Sequence, residues 1–278
     1  MNNQLTVLFD YDSIIFMGVY KVVDIPTIRE WFRANRTREW MEQEIVNLGL
    51  NRLSQMGWDF FDNIEEKGIV IGDIEYYITT AKRSHRKESF ATYKANRNPK
   101  MTMRKWTSKM RTELQKTGFA ICSDTHEADD LIATRARELG VGNYLILSMD
   151  KDMQQIEGIH FNYYRKPSKE VDEHGFKIMN PYRGLSIITP LESLEIFWKS
   201  MLTGDTADNI KGCKGIGPKT ADKLLDGLKT EEDFINVVVD TYQRKHGEDW
   251  ESAYAEAYTC LKLGMEPIVI PSPSVQAV

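Results

Sequence analysis

Apolar residues gather in short runs through the first half of the chain and fall into a helical period in the last third. Leu5–Phe9 is an apolar run closed by Asp10, which predicts a buried strand with the acid at its C-terminal end. From Thr27 to about Phe61, Trp31, Phe32, Ile45, Leu48, Leu53 and Met56 are separated by polar residues, which predicts one long helix, or two broken near Gly49. Further strands are predicted at Glu75–Thr80, Phe119–Cys122 and Tyr144–Ser148, the last ending before Asp150. Between them, Glu127–Leu139 predicts a helix, with Asp124 and Glu127 spaced as a capping box and Gly140 as its stop. The alternation predicts an α/β fold: a mostly parallel central sheet with helices on both faces.

After Ile159–Tyr164 the pattern is broken by Pro167, Pro181 and several charges, and the reading there is a small hairpin. From Pro190 onward it is helical, over Leu191–Leu202, Pro218–Leu228, Glu231–Tyr242 and Trp250–Leu263. The expected organisation is an α/β core over 1–189, a helical region over 190–265 and a loose tail over 266–278. The opening residues do not read as a signal peptide, and no apolar stretch reaches the roughly 18–20 residues of a membrane span. The three cysteines, Cys122, Cys213 and Cys260, are scattered singly, which argues against a zinc ribbon or a disulfide framework and fits a reducing cytoplasm.

Charge changes the picture. The net charge of the 278 residues is −5, yet Lys82–Arg111 holds 11 basic residues and one acid, Glu88, leaving a balance of −15 elsewhere. Such a segment is either a phosphate-binding surface or a solvated basic helix. Pro99 interrupts it, so a helix–loop–helix is expected.

The candidate chemistry is carboxylate chemistry. Asp10, Asp150 and Asp152 fall at the ends of predicted parallel strands, where open α/β sheets bind ligands. Glu127, Asp129 and Asp130 open a helix, and Asp205 and Asp208 would share a helix face. Crowded carboxylates repel, and hard divalent cations relieve that repulsion. Each acid also has a plainer reading as a helix cap or first-turn charge. The string Gly212–Thr220 places glycines before Pro218, which suits backbone amides approaching a phosphate or simply a tight turn between helices.

Five strings stand in order: Tyr93-Lys94-Ala95-Asn96-Arg97, Glu127-Ala128-Asp129-Asp130-Leu131-Ile132, Leu147-Ser148-Met149-Asp150-Lys151-Asp152, Gly204-Asp205-Thr206-Ala207-Asp208-Asn209-Ile210 and Gly212–Ala221. Together they resemble the 5′-nuclease domain of bacterial DNA polymerase I and the free-standing phage 5′-exonucleases and flap endonucleases, over about Leu5 to Leu228. The resemblance implies a PIN-like core, a basic helical arch at about 82–116 and a helix–three-turn–helix at about 204–228. It implies that Asp10, Glu127, Asp129, Asp130, Asp150, Asp152, Asp205 and Asp208 bind two Mg²⁺ ions, with Mn²⁺ able to substitute. Lys94 and Arg97 match the cationic pair that holds the scissile phosphate, and Tyr93 would stack on a base or ribose. Gly212, Gly215, Gly217, Lys219 and Thr220 would grip duplex DNA, with a K⁺ ion in that element.

The implied activity is metal-dependent hydrolysis at or near a 5′ end, flap or nick in DNA, or of an RNA–DNA hybrid, in phage-type replication or recombination. A cytoplasmic monomer of the free-standing phage type is expected. One departure stands out. The family carries a further acid at the end of the second strand, and counting back from Arg97 and Arg86 puts it within two residues of Ala81. No carboxylate stands there, so either a ligand is lost at Ala81, with Thr79 and Thr80 as the other positions, or Asp73 or Glu75 compensates. Asp12 stands where a small polar residue is usual. Two alternatives remain: a catalytically weakened DNA-binding protein, and a haloacid-dehalogenase-type phosphatase using Asp10 as nucleophile.

Overall fold

The computed structural model describes residues 4–19, 25–80, 84–96, 102–171, 177–179 and 183–265. Ala81, Arg97, Pro99 and the expected tail therefore lie outside the described residues. The chain opens with β1 (Leu5–Asp10), α1 (Tyr11–Val19), α2 (Ile25–Arg33), α3 (Arg38–Glu65) and β2 (Ile71–Tyr77). The segment expected to form an arch carries α4 (His85–Ser89) and α5 (Thr102–Lys116), followed by α6 (Ala128–Leu139), β3 (Tyr144–Leu147), a 3₁₀ turn (Lys151–Gln155) and β4 (Gly158–Asn162). A small hairpin, β5 (Pro167–Val171) and β6 (Lys177–Met179), leads to β7 (Gly184–Ile188). The last part comprises α7 (Pro190–Thr203), β8 (Gly204–Asp205), β9 (Ile210–Lys211), α8 (Pro218–Leu225), α9 (Glu231–His246) and α10 (Trp250–Leu261).

The main sheet runs β2-β1-β3-β4-β7, parallel except for the antiparallel edge strand β7. Successive side chains of a strand point to opposite faces. Val7 and Phe9 of β1 accordingly enter one core with α1, α3 and α5, through Ile14, Leu53 and Met110. Leu8 enters the opposite core with Ile132 and Ala133 of α6. The C-terminal helices enclose a third core around Trp198, Phe234, Tyr242 and Tyr254. No helix among the described residues is long and apolar enough to cross a membrane.

Several local expectations are corrected. The long helical stretch breaks at residues 34–37, not at Gly49. Asn35 there takes a left-handed φ of 53°, and the Thr37 side chain caps α3 by accepting from the Trp40 amide at 3.1 Å. Gly49 sits inside α3 against α1 and α5. A Cβ there would come within 3.0 Å of Met110 Sδ and 3.4 Å of the Gly18 carbonyl, so glycine permits close helix packing. The third predicted strand reduces to a single bridge, Tyr77 to Ile121. The capping box of α6 pairs Glu127 with Asp130, not with Asp124. Asp205 and Asp208 share no helix, because Gly204–Lys211 is a two-strand hairpin closed by a turn.

Candidate metal centre and DNA-binding loop

Parallel strands deliver their C-terminal ends to one edge, and the acids collect there. Asp10 ends β1, Asp150 follows β3, and Glu127 caps α6, which brings Asp129 with it. A cleft of about 240 Å³ is lined by Asp10, Asp12, Glu127, Asp129 and Asp150, with Thr79, Lys94 and Arg111 on its walls. Asp152 and Asp205 lie beside it, joined by the Lys151 ammonium at 3.9 and 3.5 Å. Asp208 faces Lys94 at 3.5 Å.

The electrostatics are those of crowded like charges. Burial, then Asp12 and Asp150, raises Asp10 to about 7, although Ser148 Oγ donates to its carboxylate at 2.6 Å. Burial and Asp150, reinforced by Asp205 and Asp208, raise Asp152 to about 6. Burial, with Asp130 and Glu127 behind it, raises Asp129 well above its usual range despite Arg86. Glu127 goes the other way: burial works against its charge, but Lys94 and Arg86 outweigh burial and hold it low. Its Oε2 accepts from Lys94 Nζ and from the Tyr93 hydroxyl, each at 2.7 Å.

Among the described residues no group of three or more acids, histidines or cysteines converges as a ready-made metal site. Ammonium groups stand among the carboxylates instead. The donor set still suits a hard cation, being oxygen throughout and holding carboxylates whose crowding adds to burial in raising Asp10, Asp129 and Asp152.

Two expected site residues are placed otherwise. Asp130 is completely buried, and its carboxylate is committed to the fold. Arg86 grips both of its oxygens, and the amides of Glu127 and Gly264 donate to it at 3.3 and 3.1 Å. That removes Asp130 from the cleft, because a carboxylate saturated by a guanidinium and two amides has little left for a metal. Tyr93 is 4% exposed and belongs to the helical core, so its ring offers no face for stacking. Its hydroxyl holds Glu127.

Arg86, which served the sequence reading only as a register mark, is the site residue that reading missed. It is fully buried, lies 3.3 Å from Glu127 and 3.8 Å from Asp129, and donates to the Lys262 carbonyl at 2.9 Å. Much of the basic segment is likewise spent internally: Lys105 and Lys109 bind Glu42, and Arg111 binds Asp12.

The base of the arch is tied to the β8–β9 turn. Lys94 N donates to the Asp208 carbonyl at 2.8 Å, Asn96 to the Thr206 carbonyl at 2.9 Å and Asn209 to the Thr92 carbonyl at 2.8 Å. Lys94 takes a left-handed φ of 54°, a conformation that costs a non-glycine residue about 1–2 kcal/mol and is tolerated where surrounding bonds over-determine it.

The glycine string divides by role. A Cβ on Gly204 or Gly212 would fall within 2.4 Å of the other's backbone, so Gly212 serves the hairpin's packing. Around Gly215 and Gly217 there is open space, and Lys219 and Thr220 are exposed at the start of α8. His246, another residue the sequence did not flag, accepts from the Lys214 amide at 3.0 Å and stacks on Tyr242.

Neither fallback acid reaches the cleft. Glu75 is held by Arg135 at 3.0 Å and by the Tyr77 hydroxyl, while Asp73 accepts from the Ile74 amide at 2.8 Å.

Comparison with known proteins bears on the family. The family model described as the 5′-3′ exonuclease, N-terminal resolvase-like domain matches residues 58–180. The DNA polymerase I of Borreliella burgdorferi is 32% identical over 167 residues, 59% of this chain and 18% of that protein. A 5′-3′ exonuclease of Halalkalibacterium halodurans is 27% identical over 196 residues, 67% of this chain and 58% of that protein. The flap endonuclease Xni of Tolumonas auensis is 34% identical over 146 residues, 50% of this chain and 52% of that protein. The matched regions thus span less than two thirds of each relative. Among solved structures, the T5 5′-exonuclease with bound zinc aligns over 93% of this chain and 100% of its own, at 14% identity and a TM-score of 0.46, a likeness too slight to bear on activity. On the sequence matches, residues 58–180 are similar to the N-terminal resolvase-like domain of 5′-3′ exonucleases, and the chain is similar over part of its length to DNA polymerase I, a 5′-3′ exonuclease and a flap endonuclease.

Proposed function

We propose that the chain is a divalent-metal-dependent nuclease that hydrolyses phosphodiester bonds at or near the 5′ ends of DNA, as a 5′-3′ exonuclease, a 5′-flap endonuclease or both. One observation carries this reading: Asp10, Glu127, Asp129 and Asp150 line a single cleft at the strand ends, with the Lys94 ammonium already inside it. Asp10, Glu127, Asp129, Asp150, Asp152, Asp205 and Asp208 would hold two Mg²⁺ ions, or Mn²⁺, which supply Lewis-acid stabilisation of the phosphate and an activated water.

The chain's own groups account for the rest. Lys94 would exchange its contact with Glu127 for the phosphate, where a cation aimed at developing charge lowers the barrier. Arg86 and Tyr93 fix Glu127 from behind, so the carboxylate keeps its orientation when Lys94 leaves. The exposed backbone at Gly215 and Gly217, where a phosphate can approach closely, with Lys219 and Thr220 at the α8 N-terminus, would grip the duplex backbone away from the cut, with K⁺ bound there. Duplexes with a 5′ end, flap or nick are the proposed partners, and RNA–DNA hybrids are within reach of the same chemistry.

The test is one gel comparing 5′-flap, nicked, blunt and single-stranded substrates in Mg²⁺ and in EDTA. Cutting confined to Mg²⁺ or Mn²⁺, lost in Asp150→Asn or Asp205→Asn while DNA binding persists, is the expected result. Cutting that survives EDTA, or unchanged turnover in either variant, overturns the reading.

A further inference from the structure

We propose that Asp12, from the first turn of α1, supplies the carboxylate for the β2 side of the metal cleft. The proposal rests on the metal-dependent reading above and concerns which residues complete the site. β1 and β3 each bring an acid to the rim, Asp10 and Asp150. β2, paired in parallel with β1 on its other side, brings none: beyond Tyr77 the chain reads Ile78-Thr79-Thr80. The acids within β2, Asp73 and Glu75, are engaged away from the cleft.

Asp12 fills this gap through space. Helix α1 begins directly after Asp10, and its first turn swings the Asp12 side chain from β1 across to the end of β2. There its Oδ2 accepts from the Thr79 amide at 2.9 Å. Its Oδ1 accepts from Arg111 Nε at 2.7 Å. An ionised carboxylate has about four lone-pair sites, so these two bonds leave acceptor capacity, and Asp12 lines the same cleft as Asp10, Glu127, Asp129 and Asp150. Thr79 supplies no carboxylate, only a neutral hydroxyl that accepts from the Ala128 amide at 2.9 Å. The competing role for Asp12 is that of a clamp joining α1, β2 and α5. A clamp needs acceptors for the Thr79 amide and for Arg111, of which asparagine's single oxygen keeps one, so the Asp12→Ser/Thr79→Asp pair separates the two roles: a cation ligand needs the charge at the end of β2.

The experiment is calorimetric titration of the full chain with Mn²⁺ and with Mg²⁺, without DNA, alongside thermal unfolding to confirm that each variant folds. Asp12→Asn should bind Mn²⁺ at least ~10-fold more weakly than wild type, as loss of a metal-supporting group does. Glu75→Gln should bind as wild type. Asp12→Ser should also lose affinity, and Asp12→Ser/Thr79→Asp should regain most of it by returning a carboxylate to the end of β2; this pair decides the matter should the asparagine variant not fold. An Asp12→Asn affinity equal to wild type beside a weakened Asp10→Asn overturns the proposal and leaves the metal-dependent reading standing. Failure of the double variant to recover overturns the assignment to the β2 side. Absence of Mn²⁺ and Mg²⁺ binding by the wild type overturns both.

Discussion

Replacing Arg86 by methionine keeps most of the side chain's bulk and removes its charge. The guanidinium is completely buried and serves Asp130, Glu127, Asp129 and the Lys262 carbonyl together. Burial opposes its charge, but Asp129 and Asp130 outweigh burial and hold it firmly protonated. Removing one partner of a buried pair leaves the other charge unpaired and costs about 3–5 kcal/mol. At about 2–4 °C per kcal/mol for domains approaching this size, Tm should fall by about 6–20 °C. Circular dichroism melts in EDTA read this loss without interference from bound metal. Arg86→Met/Asp130→Asn should recover about 1–2 kcal/mol, because both charges are then gone while the asparagine oxygen still accepts from one of the two amides, Glu127 or Gly264. A single variant within about 1 kcal/mol of wild type, or a double variant no better than the single, would refute the buried pair as the link between the arch and α6.

Three further outcomes are expected. Asp10 is raised to about 7 by burial first, so its folded form holds a proton that the unfolded chain releases near pH 4; stability from this group is full below about 4 and lost as pH rises through about 7. Metal-free Asp10→Asn should therefore melt higher than wild type at about pH 8, by up to about 4 kcal/mol, and equally at about pH 4; a lower melt at the higher pH would contradict this. Gly204→Ala places a Cβ 2.4 Å from the Gly212 amide and the Ile210 carbonyl at a φ of 71°, so it should lower Tm and weaken duplex binding, whereas Gly217→Ala meets nothing within 4 Å and should alter Tm little. Lys94→Ala should slow single-turnover cleavage by roughly 10²–10³-fold with a much smaller change in DNA Kd, and a pure affinity loss would show that Lys94 only recruits substrate.

What the chain's pattern determined was whatever is local. The short apolar run of β1, the α6 stretch with Gly140 behind it and the helical stretches from Pro190 onward were legible because hydrophobic pattern and helix stops act within a few residues. So was the gathering of acids at the strand ends, which follows from parallel topology. Tertiary structure decided which of those acids face the cleft. Asp129 and Asp130 are consecutive, and a helix turns about 100° per residue, so their side chains leave the helix in different directions. Which one turns inward depends on Arg86, 44 positions away in the chain. Tyr93 became a support for Glu127 because a core of helices from the C-terminal third closed over its ring. Asp12 reached the end of β2 by meeting Thr79, 67 positions on. A side chain's task depends on the partner it finds across the fold, and no window of sequence contains both.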